Sequence, residues 1–185
     1  MQEGDHIIEL SSLGQYYSNI LSAAVGPQGQ IDMYDLPAWE QFNARVNGET
    51  FSAAHANTQH QMLAYDEAEY PGNVDAVYNV LSYHDLPAFG VNTARMNSKL
   101  FAALKPGGTY LVVDHQAEDG SGWRDAETLH RIDKAVIIAE ITAAGFELVT
   151  DSPQLAHPED DRTMGVYAIR GQTDRAVLVF RKPLD

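Results

Sequence analysis

The sequence predicts an α/β domain built on a mostly parallel sheet, and three observations carry that prediction. Short β-rich runs alternate with helical runs from one end of the chain to the other. Thr109–Val113 is nearly continuous in apolar residues, as a central parallel strand covered on both faces must be. The last two β-rich runs, Phe146–Thr150 and Arg175–Arg181, have no helical run between them, so one strand near the C-terminus should lie antiparallel to the others. The expected arrangement is three layers, helices on both sides of the sheet, with residues 1–185 forming one domain.

The elements follow in order. His6–Leu10 is a short strand entering a helix over Tyr16–Ala24, which Gly26-Pro27 closes. Gln30–Tyr34 is a second strand, ended by Asp35. Pro37 suits the first turn of a helix running to about Val46, and Asn47-Gly48 reads as a break. Thr58–Leu63 is a third strand despite its polar content. Val74–Val80 is β-rich and follows the turn signal Pro71-Gly72-Asn73. A helix from about Val91 to Leu104 is closed by Lys105-Pro106-Gly107-Gly108, whose glycines take positive φ cheaply and let the chain reverse into Thr109–Val113. Ile132, Val136, Ile137, Ile141 and Ala144 fall at helical spacing, and Gly145 supplies the stop. Asp151–Asp174 carries few regular signals.

Composition narrows the function. Lys and Arg number 12 against 26 Asp and Glu, a net charge of −14. Such a chain repels phosphate backbones and anionic lipid, so neither nucleic acid nor a membrane surface is an expected partner. A small molecule is, and a homodimer remains open. With 44% apolar and 21% charged residues the chain can bury a core. It has no cysteine, which removes disulfides, thiolate zinc sites and thiol nucleophiles together. The polar start Met1-Gln2-Glu3-Gly4-Asp5 is followed by no apolar targeting region, and apolar runs such as Ala135–Ala139 stop at five residues, so the expected location is the cytoplasm. There is no Gly-x-Ser-x-Gly elbow and no phosphate loop.

The middle and end of the chain resemble a known family. Val74-Asp75-Ala76-Val77 through Tyr83-His84-Asp85 looks like the fourth strand of a class I, Rossmann-like S-adenosylmethionine (SAM) methyltransferase. Leu100-Phe101-Ala102-Ala103-Leu104-Lys105-Pro106-Gly107-Gly108-Thr109-Tyr110-Leu111 resembles the helix, turn and fifth strand of that fold, and Ile138 through Phe146 its later helix and sixth strand. Tyr83-His84-Asp85, Val113-Asp114-His115, Leu129-His130-Arg131-Ile132-Asp133 and Thr173-Asp174-Arg175 together are similar to one bacterial branch of predicted methyltransferases. The resemblance spans about residues 6–183 and implies SAM as cofactor.

It also implies cofactor residues. Glu9 matches the acidic position after the first strand, which places Ser11, Leu13 and Gln15 where the superfamily carries glycines; Gly14 stands off that register, and Tyr16-Tyr17-Ser18 match the branch. Side chains at Leu13 and Gln15 fall where backbone would approach the ligand, so SAM should bind weakly or not at all. By the same resemblance Asp35 would hold the ribose hydroxyls and Asp66 the adenine amino group, while Asn79 and Leu81 would lie near the sulfonium. The family usually carries a helical segment ahead of the first strand, and here that strand starts within about six residues of Met1, which should leave the cleft open to water.

Seven histidines occur, at 6, 55, 60, 84, 115, 130 and 157. Adjacent fourth and fifth strands, about 4.8 Å apart with their carboxyl ends at the ligand crevice, would gather His84, Asp85, Asp114 and His115. His130 and Arg131 would close the group and, with Tyr83, meet the substrate. Acid–base chemistry, metal binding and a loop-holding role all remain open for this cluster. No pair has a metal-binding spacing such as His-Glu-x-x-His, so the sequence assigns catalytic roles to His84, Asp85 and His115 and no metal ligand. Trp39 and Phe42 read as core or cleft lining, and Glu159-Asp160-Asp161 as a solvated loop. The leading expectation is a SAM-dependent methyltransferase of a small molecule. The alternatives are a methyltransferase-like binding protein that has lost SAM, and a metal or histidine enzyme on the same scaffold.

Overall fold

A computed structural model describes residues 1–184. Strands β1 (His6–Leu10), β2 (Gln30–Asp35), β3 (Thr58–Met62), β4 (Val74–Val80), β5 (Leu104–His115), β6 (Glu147–Ser152) and β7 (Arg175–Arg181) form one sheet in the order β3-β2-β1-β4-β5-β7-β6. All neighbours are parallel except β7, which runs antiparallel to both β5 and β6. The antiparallel strand is therefore Arg175–Arg181, and it lies inside the sheet beside β5 instead of at its edge.

The inner strands are largely apolar because both faces are covered. Alternate residues go to opposite sides. Ile7, Ile31 and Met33 pack with Leu21 and Val25 of α1 (Tyr16–Val25) and Phe51 of α2 (Ala44–Ala54). Ile8, Leu10, Tyr34, Val77 and Tyr110 pack on the other side, with Met96 and Leu100 of α3 (Thr93–Ala103) and Ile137 and Ile141 of α5 (Lys134–Ala143). A single helical turn, α4 (Ala126–Leu129), sits ahead of α5. No helix among the described residues is long and apolar enough to cross a membrane.

Two local readings change. Pro37–Phe42 is a 3₁₀ turn, and the helix begins after it, running through Asn47-Gly48 without a break. Gly48 serves packing: a Cβ there would stand 2.3 Å from the ring of His60 on β3. The Lys105–Gly108 turn is counted into β5, because Gly107 N–H donates to the Lys182 carbonyl and Lys182 N–H to the Gly108 carbonyl, each at 2.9 Å. Of the two glycines only Gly107 has positive φ, +79°. At Gly108 the constraint is room, since a Cβ would meet the Lys105 carbonyl oxygen at 2.9 Å.

Helix propensity alone favours Ala over Gly inside α2 by about 1 kcal/mol, but the His60 ring is buried and tied to Asp35 at 3.0 Å. Overpacking should win, so Gly48→Ala is expected to lower the stability read from urea unfolding by about 1–3 kcal/mol. An unchanged or raised midpoint would mean the helix–strand contact yields freely.

Candidate functional site

A cleft enclosing about 320 Å³ opens at the carboxyl ends of β1 and β4. Its floor is the loop Ser11–Gln15 with Glu9, its far wall Val80–Ser82 and Asp85, and aromatic side chains such as Tyr16, Trp39, Phe89 and Tyr167 complete it. The floor has an unusual backbone: φ is +69° at Ser11, +23° at Leu13 and +52° at Gln15. Left-handed backbone costs a non-glycine residue about 1–2 kcal/mol, so something must hold it. Asp35 does. Its carboxylate is fully buried and accepts from Ser12 Oγ (2.7 Å), Leu13 N–H (3.3 Å) and His60 Nε2 (3.0 Å). Ser11 Oγ donates to Ser82 Oγ at 2.5 Å, which donates to Asn79 Oδ1 at 2.6 Å, joining the β1 loop to the end of β4.

Glu9 differs from these. It lines the cleft at only 3% exposure, and its Oε2 has no hydrogen-bond partner among the described residues. Burial raises its pKa to about 7, with Asp35 adding to the rise and Ser18 opposing it.

The 3₁₀ turn Tyr83–Asp85 follows β4. His84 is buried; its backbone N–H and Nδ1 donate to the two oxygens of Asp114 on β5, at 2.9 and 2.7 Å. Burial pulls its pKa down, but the charge and hydrogen bond of Asp114 and the charge of Asp85 prevail and raise it. Asp85 faces the cleft and stands 3.3 Å from His84 Nε2 and 3.1 Å from His130 Nδ1. His130 caps α4 with φ +54° and packs edge-on against Tyr167, ring centres 4.9 Å apart.

A second hollow of about 330 Å³ beside β6 and β7 is lined by Lys134, Asp151, Arg162 and Asp174. Those charges pair with one another, Lys134 with Asp151 at 2.5 Å and Arg162 with Asp174 at 2.8 Å, while Arg175, which also lines the hollow, has no partner for its Nε among the described residues.

No protein-family model and no curated protein matches the sequence. Solved structures do match in fold. A SAM-dependent methyltransferase from Aquifex aeolicus superposes with a TM-score of 0.70 at 14% identity, over 97% of this chain and 83% of that one. An S-adenosylmethionine-dependent methyltransferase from Mesorhizobium loti gives 0.67 at 13%, over 97% and 92%. The [4+2]-cyclase SpnF gives 0.72 at 16%, over 100% and 78%. The chain has the class I methyltransferase fold.

Within that fold the expected residues separate into two groups. Glu9, Ser11, Gly14, Tyr16, Asp85 and His130 all line the cleft, as does Leu13, while Gln15 turns back so that its Nε2 donates to the Leu13 carbonyl at 2.8 Å. The others lie off it. Asp35 has no free face for a ribose, because loop donors and His60 occupy its oxygens. Asp66 is buried after β3, and Asn79 lies wholly beneath the cleft wall. Tyr83 cannot meet a substrate: it is fully buried, stacks on Trp123, donates to Glu140 at 2.8 Å and accepts from Asn97 at 2.8 Å. Arg131 cannot either. It is a buried strut, donating to the carbonyls of Met164 (2.8 Å) and Gln116 (2.9 Å) and pairing with Asp160. His115 does lie beside His84, ring centres 6.2 Å apart, but it hydrogen-bonds Thr173 and is not part of the cleft wall. Burial, with nearby positive charges against it and Asp114 for it, lowers its pKa to about 4. Leu81, Phe42, Phe89 and Tyr167 at the rim were not all foreseen; Phe89 and Tyr167 carry no motif signal.

The raised pKa of Glu9 sets a pH dependence. The folded state holds the proton more tightly than the unfolded, so the stability Glu9 gives is complete below about pH 4.5 and is lost as pH rises through about 7. Glu9→Gln should therefore raise stability above pH 7 by up to about 3 kcal/mol and change it little near pH 4. Thermal unfolding across that range checks it, and a difference that is flat with pH would show the carboxyl to be satisfied.

Proposed function

We propose that the chain is a SAM-dependent methyltransferase acting on a small molecule, with the cofactor held in the Glu9 cleft. The observation that carries this is the Glu9 carboxyl: nearly fully buried, unpartnered at Oε2 and lining the cleft. A buried acid in that state calls for a cationic partner, and SAM offers an ammonium and a sulfonium. The fold supports the reading without deciding it, since the cyclase SpnF has a similar fold.

SAM would supply the methyl group. The chain's own residues do the rest. Glu9 holds the cationic end; the Ser11–Gln15 loop, fixed by Asp35, shapes the floor; Tyr16, Trp39 and Phe42 offer flat apolar surface to a ring. Asp85 and His130 face the acceptor, and His84, clamped by Asp114, positions Asp85. Methyl transfer depends chiefly on such alignment. His115, Tyr83 and Arg131 have no contact with the acceptor in this arrangement.

The loop governs affinity. Leu13 lines the cleft, packed against the core, and is held at positive φ, so Leu13→Gly removes both a lining side chain and a strain. By calorimetry, the natural chain should bind SAM weakly, and Leu13→Gly should bind at least about tenfold more tightly, or roughly 1.4 kcal/mol. Gln15 faces away, so adding Gln15→Gly should contribute little more. Glu9→Gln should abolish binding in both backgrounds. Absence of SAM binding by folded Leu13→Gly, or binding indifferent to Glu9, would overturn the proposal.

A further inference from the structure

His84, Asp85 and His130 form a constellation that alignment of a substrate does not require. The ligating atoms of the three all lie within 4.8 Å of one another. They reach this point from two separate segments, the 3₁₀ turn after β4 and the cap of α4, 45 residues apart between Asp85 and His130. His130 adopts left-handed backbone to get there.

We propose that His84 Nε2, an Asp85 oxygen and His130 Nδ1 bind a zinc-like divalent transition-metal ion in the wall of the cleft. Zinc lies about 2.0–2.2 Å from nitrogen and oxygen ligands, so donors around a tetrahedral ion stand roughly 3.3 Å apart. The two contacts to Asp85, 3.3 Å from His84 and 3.1 Å from His130, have that spacing. The hydrogen-bond pattern gives a second reason. His84 Nδ1 is engaged by buried Asp114, which leaves Nε2 as the ring nitrogen that faces an Asp85 oxygen.

The surroundings fit an ion. Asp114 fixes the tautomer and orientation of His84, the role a carboxylate plays behind a metal-bound imidazole. Tyr167 packs on the His130 ring. Two imidazoles with one carboxylate favour a first-row transition metal over magnesium or calcium. Three protein ligands leave a fourth position, and Asp85 and His130 both line the cleft, so that position faces bound small molecules. An ion there would acidify a coordinated hydroxyl of an acceptor. The site stands independently of whether the cleft takes SAM.

The test is zinc binding by the full chain, freed of metal with chelator and titrated in the absence of any methyl donor, so its outcome is read apart from SAM binding. One zinc per chain at about micromolar affinity or tighter is expected, with cobalt giving the visible absorption of a tetrahedral nitrogen–oxygen site and magnesium giving no saturable heat. His130→Gln, at a ring 30% exposed and so tolerated by the fold, and Asp85→Asn should each weaken zinc about 100-fold. Asp114→Asn should weaken it about tenfold with the stoichiometry unchanged. No saturable zinc binding would mean that the three side chains only hydrogen-bond one another. Binding that survives His130→Gln and Asp85→Asn would place the ion on the acidic surface instead. Either result overturns the site.

Discussion

A buried carboxylate must find donors or a cation, and that constraint organises the whole carboxyl edge of the sheet. Asp35 at the end of β2 takes its donors from Ser12, Leu13 and His60, so the β1 loop is drawn over it. Asp114 near the end of β5 takes the backbone and ring of His84 and the backbone N–H of His115, which pulls the turn after β4 against β5. Each acid is satisfied by the loop it fixes. Between these two loops the cleft is left, and in it Glu9 is the acid without a full set of partners. The shape of the cleft and its unmatched charge have one origin.

The same bonds account for where backbone strain sits. Among the described residues eight non-glycines have positive φ, and four of them, Ser11, Leu13, Leu81 and His130, line the cleft. Asn43 and Asn73 are turn asparagines that tolerate the conformation and need no compensation. At Ser11 and Leu13 compensation is visible as Ser82 and Asp35. The loop therefore takes backbone that glycine adopts easily while carrying larger side chains. Its strain persists because buried hydrogen bonds over-determine it, the usual circumstance at ligand sites.

The central strands could be read from the sequence because burial on both faces leaves near-continuous apolar runs, a signal that polar β3 lacks. Gly48 could not. A glycine inside a helix looks like a break unless the His60 ring across from it is known. The candidate site divided along a similar line. Residue type and motif grouped Tyr83, His84 and Asp85 after β4, but the three belong to a 3₁₀ turn, where successive side chains point about 120° apart. Tyr83 consequently enters the core, His84 meets Asp114 and Asp85 meets the cleft. Sequence cannot assign those directions without the neighbouring strand. Asp35 and Arg131 failed as ligand residues for a related reason: each is chemically suited to a ligand, and each is fully engaged by the protein's own groups.

What distinguishes this cleft within a fold it shares with methyltransferases and a cyclase is therefore the set of groups left unengaged. Asp35 and Asp114 are satisfied locally, and Arg131 and Arg162 are committed to struts and ion pairs. No lysine or arginine lines the cleft. Its polar wall consists of hydroxyls, two carboxylates and an imidazole, groups suited to cations. An anionic substrate would meet a chain of net charge −14 with no guanidinium or ammonium to receive it. The groups left free at the site are therefore acidic or neutral, a balance that favours cationic and neutral groups over anionic ones.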